Sequence, residues 1–233
     1  MNYSNFRFPR IDSRSAVFNL IMLNVVVFGI TNLFPLQIKG LPLQDAFSLY
    51  YPASPFFMPH QFLSSLLTHA DFFHLFFNMF NLYMFGSMLE RVWGGQRLLF
   101  FFFVTGLGAS VLYLFAQGIH IYSISGTFWP VLHNMTGPAE VVEALQSHCL
   151  GASGAVFAML TAAALLFGET EMLIYGVFPL KLKYLAIFLI FWELKLQFST
   201  TPGDNVAHLA HLSGALMGWA LVRIWSRNRY DFY

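Results

Sequence analysis

Charge is scarce in this chain. Of its 233 residues, 10% are Asp, Glu, Lys or Arg, while 57% are apolar, and the mean hydropathy is +0.60. Soluble domains carry about 25% charged residues, so the deficit excludes an ordinary water-soluble globule and points to a membrane protein. Basic runs are missing too. The net charge is +1 and no Lys/Arg stripe exists, which excludes a partner held by its phosphate backbone, so no nucleic acid is expected. Cysteine is all but absent. Cys149 stands alone, and no internal disulfide can form. The first fourteen residues, MNYSNFRFPRIDSR, lack the apolar core and small-residue cleavage site of a signal peptide. The first apolar segment is therefore expected to remain as a helix.

What is present is a series of apolar runs. A spanning helix needs about 20 mostly apolar residues. Six segments qualify as candidates, at 16–34, 74–92, 98–116, 151–167, 180–196 and 206–225, punctuated by Pro35, Gly94-Gly95 and TTPGDN. No repeat is evident, and one domain is expected. It comprises a cytoplasmic segment 1–14, a six-helix membrane domain 15–226 and a cytoplasmic tail 227–233. Lys and Arg set the orientation. With the N-terminus inside, the inner segments hold Arg7, Arg10, Arg14, Arg91, Arg97, Lys181, Lys183, Arg223, Arg227 and Arg229, against Lys39 and Lys195 outside. Both termini are thus expected in the cytoplasm. Two connections, 35–73 and 117–150, then face outward. The first is too aromatic for an aqueous loop (FSLYYPASPFFMPHQFLSSLLTHADFF) and is expected to be embedded beside the helices, shielded by protein.

All eight histidines fall at or near the outer face in this topology. His120, His133 and His148 read as loop residues. His74, His208 and His211 lie in or beside apolar helices, where an ionisable group is costly and points to function. Helix rise places His211 roughly 12 Å and Ser153 roughly 6 Å below the outer membrane boundary. Small residues recur four apart in two helices, as Gly154, Ala158, Ala162 and as Ala210, Gly214, Gly218. Such stripes let helix backbones approach closely, which would bring Ser153 and His211 together. With no third acid apparent nearby (Asp204 precedes its helix, and Glu193 sits on the neighbouring one), the simplest constellation is a Ser-His dyad. His211 would act as general base for the Ser153 nucleophile. His74 and Asn78, one turn apart in HLFFN, share a helix face. Asn78 and the Ser153 amide could donate to an oxyanion, while Asn78 also fits a purely interhelical role.

These residues resemble the rhomboid intramembrane serine proteases. GASG (151–154), AHLSGALMG (210–218) and HLFFN (74–78) match that family's motifs in order and on the expected helices, and the likeness spans about residues 15–226. The resemblance implies an all-α, six-transmembrane-helix bundle with Ser153 as nucleophile and His211 as base. It also implies an oxyanion site of His74, Asn78 and the Ser153 amide, with Gly151, Gly154, Gly214 and Gly218 as structural motif residues. His208 fits no catalytic position in it. Two departures stand out. His60-Gln61 replaces a frequent Trp-Arg pair in the first outer loop, and Phe157 replaces a tyrosine that stacks on the catalytic histidine. The implied activity is cleavage of transmembrane protein substrates in the lipid bilayer near its outer face, without cofactor or metal. A bacterial inner membrane is the expected location, and no oligomeric state follows. Two alternatives remain: a catalytically silent client-binding relative, and a metal-binding membrane protein. The latter would want a His-Glu-x-x-His helix or acids at ligand spacing on the histidine-bearing helices, and the sequence shows neither.

Overall fold

The computed structural model describes residues 15–132, 135–174, 178–197 and 205–227. The segment 1–14, residues 228–233 of the tail, Asp204 and His133 lie outside them.

The chain opens with α1 (Ala16–Leu33). Its free N-terminal amides are met by a distant carboxylate. Glu90 accepts from the amides of Ala16 (2.6 Å) and Val17 (3.2 Å) and from the Ser15 hydroxyl (2.7 Å). A negative charge is favoured there because unpaired N–H groups converge at a helix start. The connection that follows is folded. It holds a small hairpin, β1 (Gln37–Ile38) and β2 (Leu41–Pro42), then α2 (Leu43–Phe47), β3 (Leu49–Tyr50) and α3 (Gln61–Ser64).

A continuous helical run comes next: α4 (Phe72–Asn81), a π-helical turn (Leu82–Gly86) and α5 (Ser87–Trp93). Asp71 caps it by accepting from the His74 amide at 2.9 Å. Gly94, at φ +76°, breaks the run as only glycine does without strain. The 31-residue α6 (Gly95–Ser125) follows. At 1.5 Å per residue it measures about 46 Å, more than a bilayer core of about 30 Å. The surplus forms the start of the second long connection, which the sequence reading left outside any helix. After α7 (Ala139–Gln146) and β4 (His148–Cys149) come α8 (Ser153–Phe167), a hairpin of β5 (Glu171–Ile174) and β6 (Phe178–Lys181), α9 (Leu182–Gln197) and α10 (Asn205–Arg227). Among the described residues, α1 and α6 are by themselves long and apolar enough to cross a membrane.

Two apolar clusters hold these elements. The larger surrounds α8, which is buried on nearly every side, and ends in an aromatic group of Trp93, Phe101 and Trp225. The smaller lies at the far end of α6, where Leu49 and Tyr51 of the first connection meet Tyr113, Ile121 and α7. Outward faces carry large apolar side chains, including Phe72, Phe73, Phe76, Phe77 and Phe80 on α4 and Ile187, Phe188 and Phe191 on α9. Water disfavours such faces, and lipid accepts them. Polar side chains inside the helices bond back to their own backbone: Asn24 to Leu20, Thr31 to Val27, Thr105 to Phe101 and Thr161 to Phe157. That satisfies the three threonine hydroxyls and one amide hydrogen of Asn24 without water.

The first connection is anchored by Gln61, one half of the His60-Gln61 pair. Its fully buried amide donates to the carbonyls of Ala46 (3.2 Å) and Phe56 (2.9 Å). It accepts from the amides of Met58 (3.1 Å) and Tyr50 (3.4 Å). Four backbone groups thus depend on one side chain. Gln61→Ala should destabilise the protein by about 3 kcal/mol, since each unsatisfied buried group costs about 1–3 kcal/mol and some can relax. The readout is thermal unfolding in detergent, and an unchanged transition would refute the anchoring role.

Candidate active site

Ser153 is the first residue of α8, and the chain just before it is fixed from outside. β4 pairs antiparallel with β3, Leu49 opposite Cys149 and Tyr50 opposite His148. The Gly151 amide donates to the Ser65 carbonyl at 2.8 Å. Gly151 adopts φ +118°, a conformation other residues rarely take. Space also demands glycine. A Cβ there would stand 2.8 Å from His74 Nε2 and 3.6 Å from Ser153 Oγ. His74 and Ser153 therefore border the same point. Ala152, wholly buried, closes the turn, and Ser153 itself is half-buried. Beside it, desolvation pushes the Cys149 thiol up to about 12 and keeps it protonated at neutral pH.

Backbone contact joins α8 to α10. A Cβ on Gly214 would lie 2.0 Å from the Gly154 carbonyl oxygen, and one on Gly218 would lie 2.5 Å from that of Ala158. No side chain fits in either place. On the other flank Gly154 faces Ala109 of α6. This register sets the top of α10 beside the top of α8, with the Ala210 carbonyl 3.5 Å from where a Gly154 Cβ would be. His211 follows Ala210. Its imidazole stacks on Phe157, centroids 4.5 Å apart and planes 9° apart. The ring is thereby held flat against α8, one turn below Ser153.

His74 and Asn78 share the inner face of α4. His74 Nδ1 accepts from the Ala70 amide at 3.3 Å, which assigns the proton to Nε2, the nitrogen next to Gly151. Asn78 is buried and donates to the His74 carbonyl at 2.9 Å, leaving one amide hydrogen uncommitted by that bond. Asn81 bonds back to Phe77 at 2.8 Å. His120 lies within α6 and His148 in β4, where His148 approaches Asp45 at 3.9 Å.

One acid is closer than the sequence reading allowed. Glu193 of α9 reaches both α10 histidines through one oxygen. Its Oε2 is 2.6 Å from His208 Nδ1 and 3.0 Å from His211 Nδ1. The His208 contact has hydrogen-bond alignment, whereas at His211 the groups are close but not in line. The expectation that no third acid stands near the base is thus corrected. That acid comes from α9, a helix that carries no histidine. Among the described residues these three form a group whose donor atoms lie within 4.8 Å of one another, the chemistry of a two-His, one-carboxylate set. The 2.6 Å contact of Glu193 with His208 is that of groups sharing a proton.

The comparisons with known proteins decide the family. The model described as Rhomboid domain matches residues 57–228. The chain belongs to the rhomboid family. It is 28% identical over 230 residues to RHOMBOID-like protein 12, mitochondrial, of Arabidopsis thaliana, covering 95% of this chain and 62% of that protein. With Rhomboid-like protein 11, chloroplastic, of the same plant it shares 28% over 220 residues, 91% of this chain and 66% of the relative. With Rhomboid protein 1, mitochondrial, of Saccharomyces cerevisiae it shares 24% over 213 residues, 91% of this chain and 54% of the relative. The chain thus spans roughly half to two thirds of the length of these relatives. Rhomboid membership makes it an integral membrane protein. The expected bacterial inner membrane gains no support from relatives named for mitochondria and chloroplasts.

Gly151 is the most exacting test of this geometry. Gly151→Ala would strain the turn and drive His74 away from Ser153. Labelling by a serine-directed fluorophosphonate probe should fall at least tenfold, with a much smaller change in thermal unfolding. Labelling at the wild-type rate would show that the close approach is unimportant.

Proposed function

We propose that this rhomboid is an intramembrane serine endopeptidase that cuts transmembrane protein substrates near the outer membrane face. The observation that carries the reading is the convergence on one turn. Ser153 opens α8, His74 Nε2 borders it, and the Phe157-stacked ring of His211 stands on the facing helix.

In this mechanism the His211 Nε2 takes the proton from Ser153 Oγ as the oxygen attacks the substrate carbonyl carbon. The carbonyl π electrons move to oxygen, and a tetrahedral oxyanion forms. Three donors surround that position: the His74 Nε2–H, the free amide hydrogen of Asn78 and the Ser153 N–H, which has no helical partner at a helix start. Collapse expels the amine, protonated by His211. The acyl-enzyme then reacts with water, with His211 again taking and returning a proton.

The proposed membrane arrangement has six spans: α1, the run α4 to α5, α6, α8, α9 and α10, with both termini cytoplasmic and the first connection embedded beside them. The proposed membrane domain is 15–226. α8 has fifteen residues, about 22 Å at the usual rise, shorter than the bilayer core. Its N-terminus is therefore recessed while its other end reaches the inner face. There Lys183 and Lys181 bond to Glu169, hold its carboxyl down to about 2 and keep it charged. A recessed Ser153 suits a scissile bond near the outer end of a substrate helix. That helix must unwind locally, because its carbonyls are engaged internally. Lateral entry past α9 fits its packing. Leu182 and Ala186 are its buried residues among those described, while Tyr184, Ile187, Phe188, Phe191, Trp192 and Leu194 are exposed.

Purified protein in detergent should label with a fluorophosphonate and cleave a transmembrane substrate in liposomes. Ser153→Ala and His211→Ala should lose both, with matching thermal unfolding. Wild-type-like turnover by either variant would remove that residue from the mechanism, and an unlabelled, inactive wild type would favour a silent binder. Asn78→Ala should lower turnover about 10²- to 10³-fold, the usual cost of one oxyanion donor. An unchanged rate constant would leave Asn78 a helix-internal role.

A further inference from the structure

We infer that Glu193 is a positioning residue for the base. Its carboxylate holds the His211 ring in the proton-accepting tautomer and stabilises the imidazolium, and His208 tethers that carboxylate in place. This rests on the serine-protease reading, and extends the Ser-His dyad to a third group supplied by a different helix.

The geometry has three parts. First, the carboxylate stands on the correct side of the ring. Glu193 Oε2 is 3.0 Å from His211 Nδ1, close without hydrogen-bond alignment, so a protonated Nδ1 is favoured by the neighbouring anion and the Nε2 lone pair is left for Ser153. Second, the group is enclosed. The side chains of Glu193, His208 and His211 are 13%, 10% and 17% exposed. A charge that develops on His211 during proton transfer finds little water there, so a fixed anion counts for more than at a surface. Third, Glu193 is itself restrained. Its bond to His208 Nδ1 is the shorter and straighter of the two, at 2.6 Å. His208 and His211 are three apart on one helix, so a single carboxylate oxygen meets both. Phe157, stacked on the opposite element, fixes the plane of the ring but offers it no charge.

The tether also has a mechanical consequence. α9 buries Leu182 and Ala186 near its inner end. Toward its other end, Glu193 is enclosed and bonded to α10. Swinging that end of α9 away from α10 would withdraw the carboxylate from the base. Substrate entry past α9 and the readiness of His211 are therefore coupled through one ion-pair knot.

The test uses the full chain in detergent and in liposomes, comparing wild type with Glu193→Gln, Glu193→Asp and His208→Ala. Glu193→Gln should label with fluorophosphonate at least tenfold more slowly, with the roughly 10⁴-fold loss of a fully aligned histidine-orienting carboxylate as the ceiling, and should lower kcat with little change in KM. The acid limb of its pH–rate profile should move to lower pH, because without the anion His211 is harder to protonate. The other charged neighbours of His211 are unchanged in this variant: His208 on the same helix, and His74 of α4, which interacts with it electrostatically. Glu193→Asp should recover part of the rate, and His208→Ala should lose less than Glu193→Gln. An unchanged plateau and acid limb in Glu193→Gln would overturn the proposal while leaving the protease reading intact. A lower unfolding temperature with an unmoved acid limb would reduce Glu193 to a structural tie. Wild-type labelling abolished by a chelator and restored by zinc would assign the three groups to a metal instead. An unlabelled wild type would fail at the earlier step, the protease reading itself.

Discussion

Gly214 lies against the Gly154 carbonyl and Gly218 against that of Ala158, so α8 and α10 meet backbone to backbone. In lipid there is no hydrophobic drive to bring two apolar helices together, and close packing of small residues takes its place. The depth of that contact decides what else can occur. A serine side chain is short, and an imidazole on a neighbouring helix at an ordinary 8–10 Å axis separation would not reach it from most positions. Removing side chains from the seam brings the His211 ring of α10 onto Phe157 of α8. The same seam explains why Phe157 can lie parallel to His211, since two planar rings stack between helices only when the helices converge near them. A Cβ at either glycine would separate the backbones and the ring together.

The two long connections act on the end of this seam. β3 pairs with β4, Ser65 accepts from Gly151, and Gln61 holds the turn that carries both. The approach to Ser153 is thus braced by a segment more than eighty residues earlier in the chain. That is a physical reason for the first connection to be ordered and aromatic. It must satisfy its own backbone without water, and it does so through a buried amide. The departure from the frequent Trp-Arg pair is therefore a change of means: Gln61 supplies two donors and an acceptor directed at backbone, where a guanidinium offers donors alone.

Much of the helical layout was legible because apolar runs and their punctuation are local properties. α1, α8, α9 and α10 begin and end within two residues of the expected bounds. The small-residue stripes were legible as well, because four-residue spacing maps directly onto one helix face. Three features were not. The end of α6 continues through residues 117–125, whose polar and aromatic character looks like loop. They are helical because Ile121 and Gly118 pack on the folded first connection, a contact made at long range. The π-helical turn at Leu82–Gly86 leaves no signature in hydropathy. Glu193 was missed for a different reason. A carboxylate within an apolar helix is itself a signal, as are two histidines three apart on the next helix. The sequence did not reveal that α9 turns that carboxylate inward.

Burial of charge in a membrane protein is tolerable when the group is paired and its partners are also fixed. The neutral hydroxyls of Thr31, Thr105 and Thr161 are satisfied within their own helices, whatever their neighbours' positions. Glu193 meets that condition only across a helix boundary. Its stability as an anion therefore depends on α9 remaining beside α10, while α9 is otherwise bounded by large apolar side chains that contact lipid as readily as protein. Two demands thus meet in one carboxylate. Under the proposed protease reading, a substrate helix arriving from the bilayer favours a loosely held α9, and a base that must accept a proton favours an α9 in contact. On the same reading, placing the bond toward the C-terminal end of the helix lets the remainder of α9 move in lipid while the charge pair holds. The helix can then tilt about its polar contact without moving as a rigid wall, and chemistry proceeds while that contact is closed.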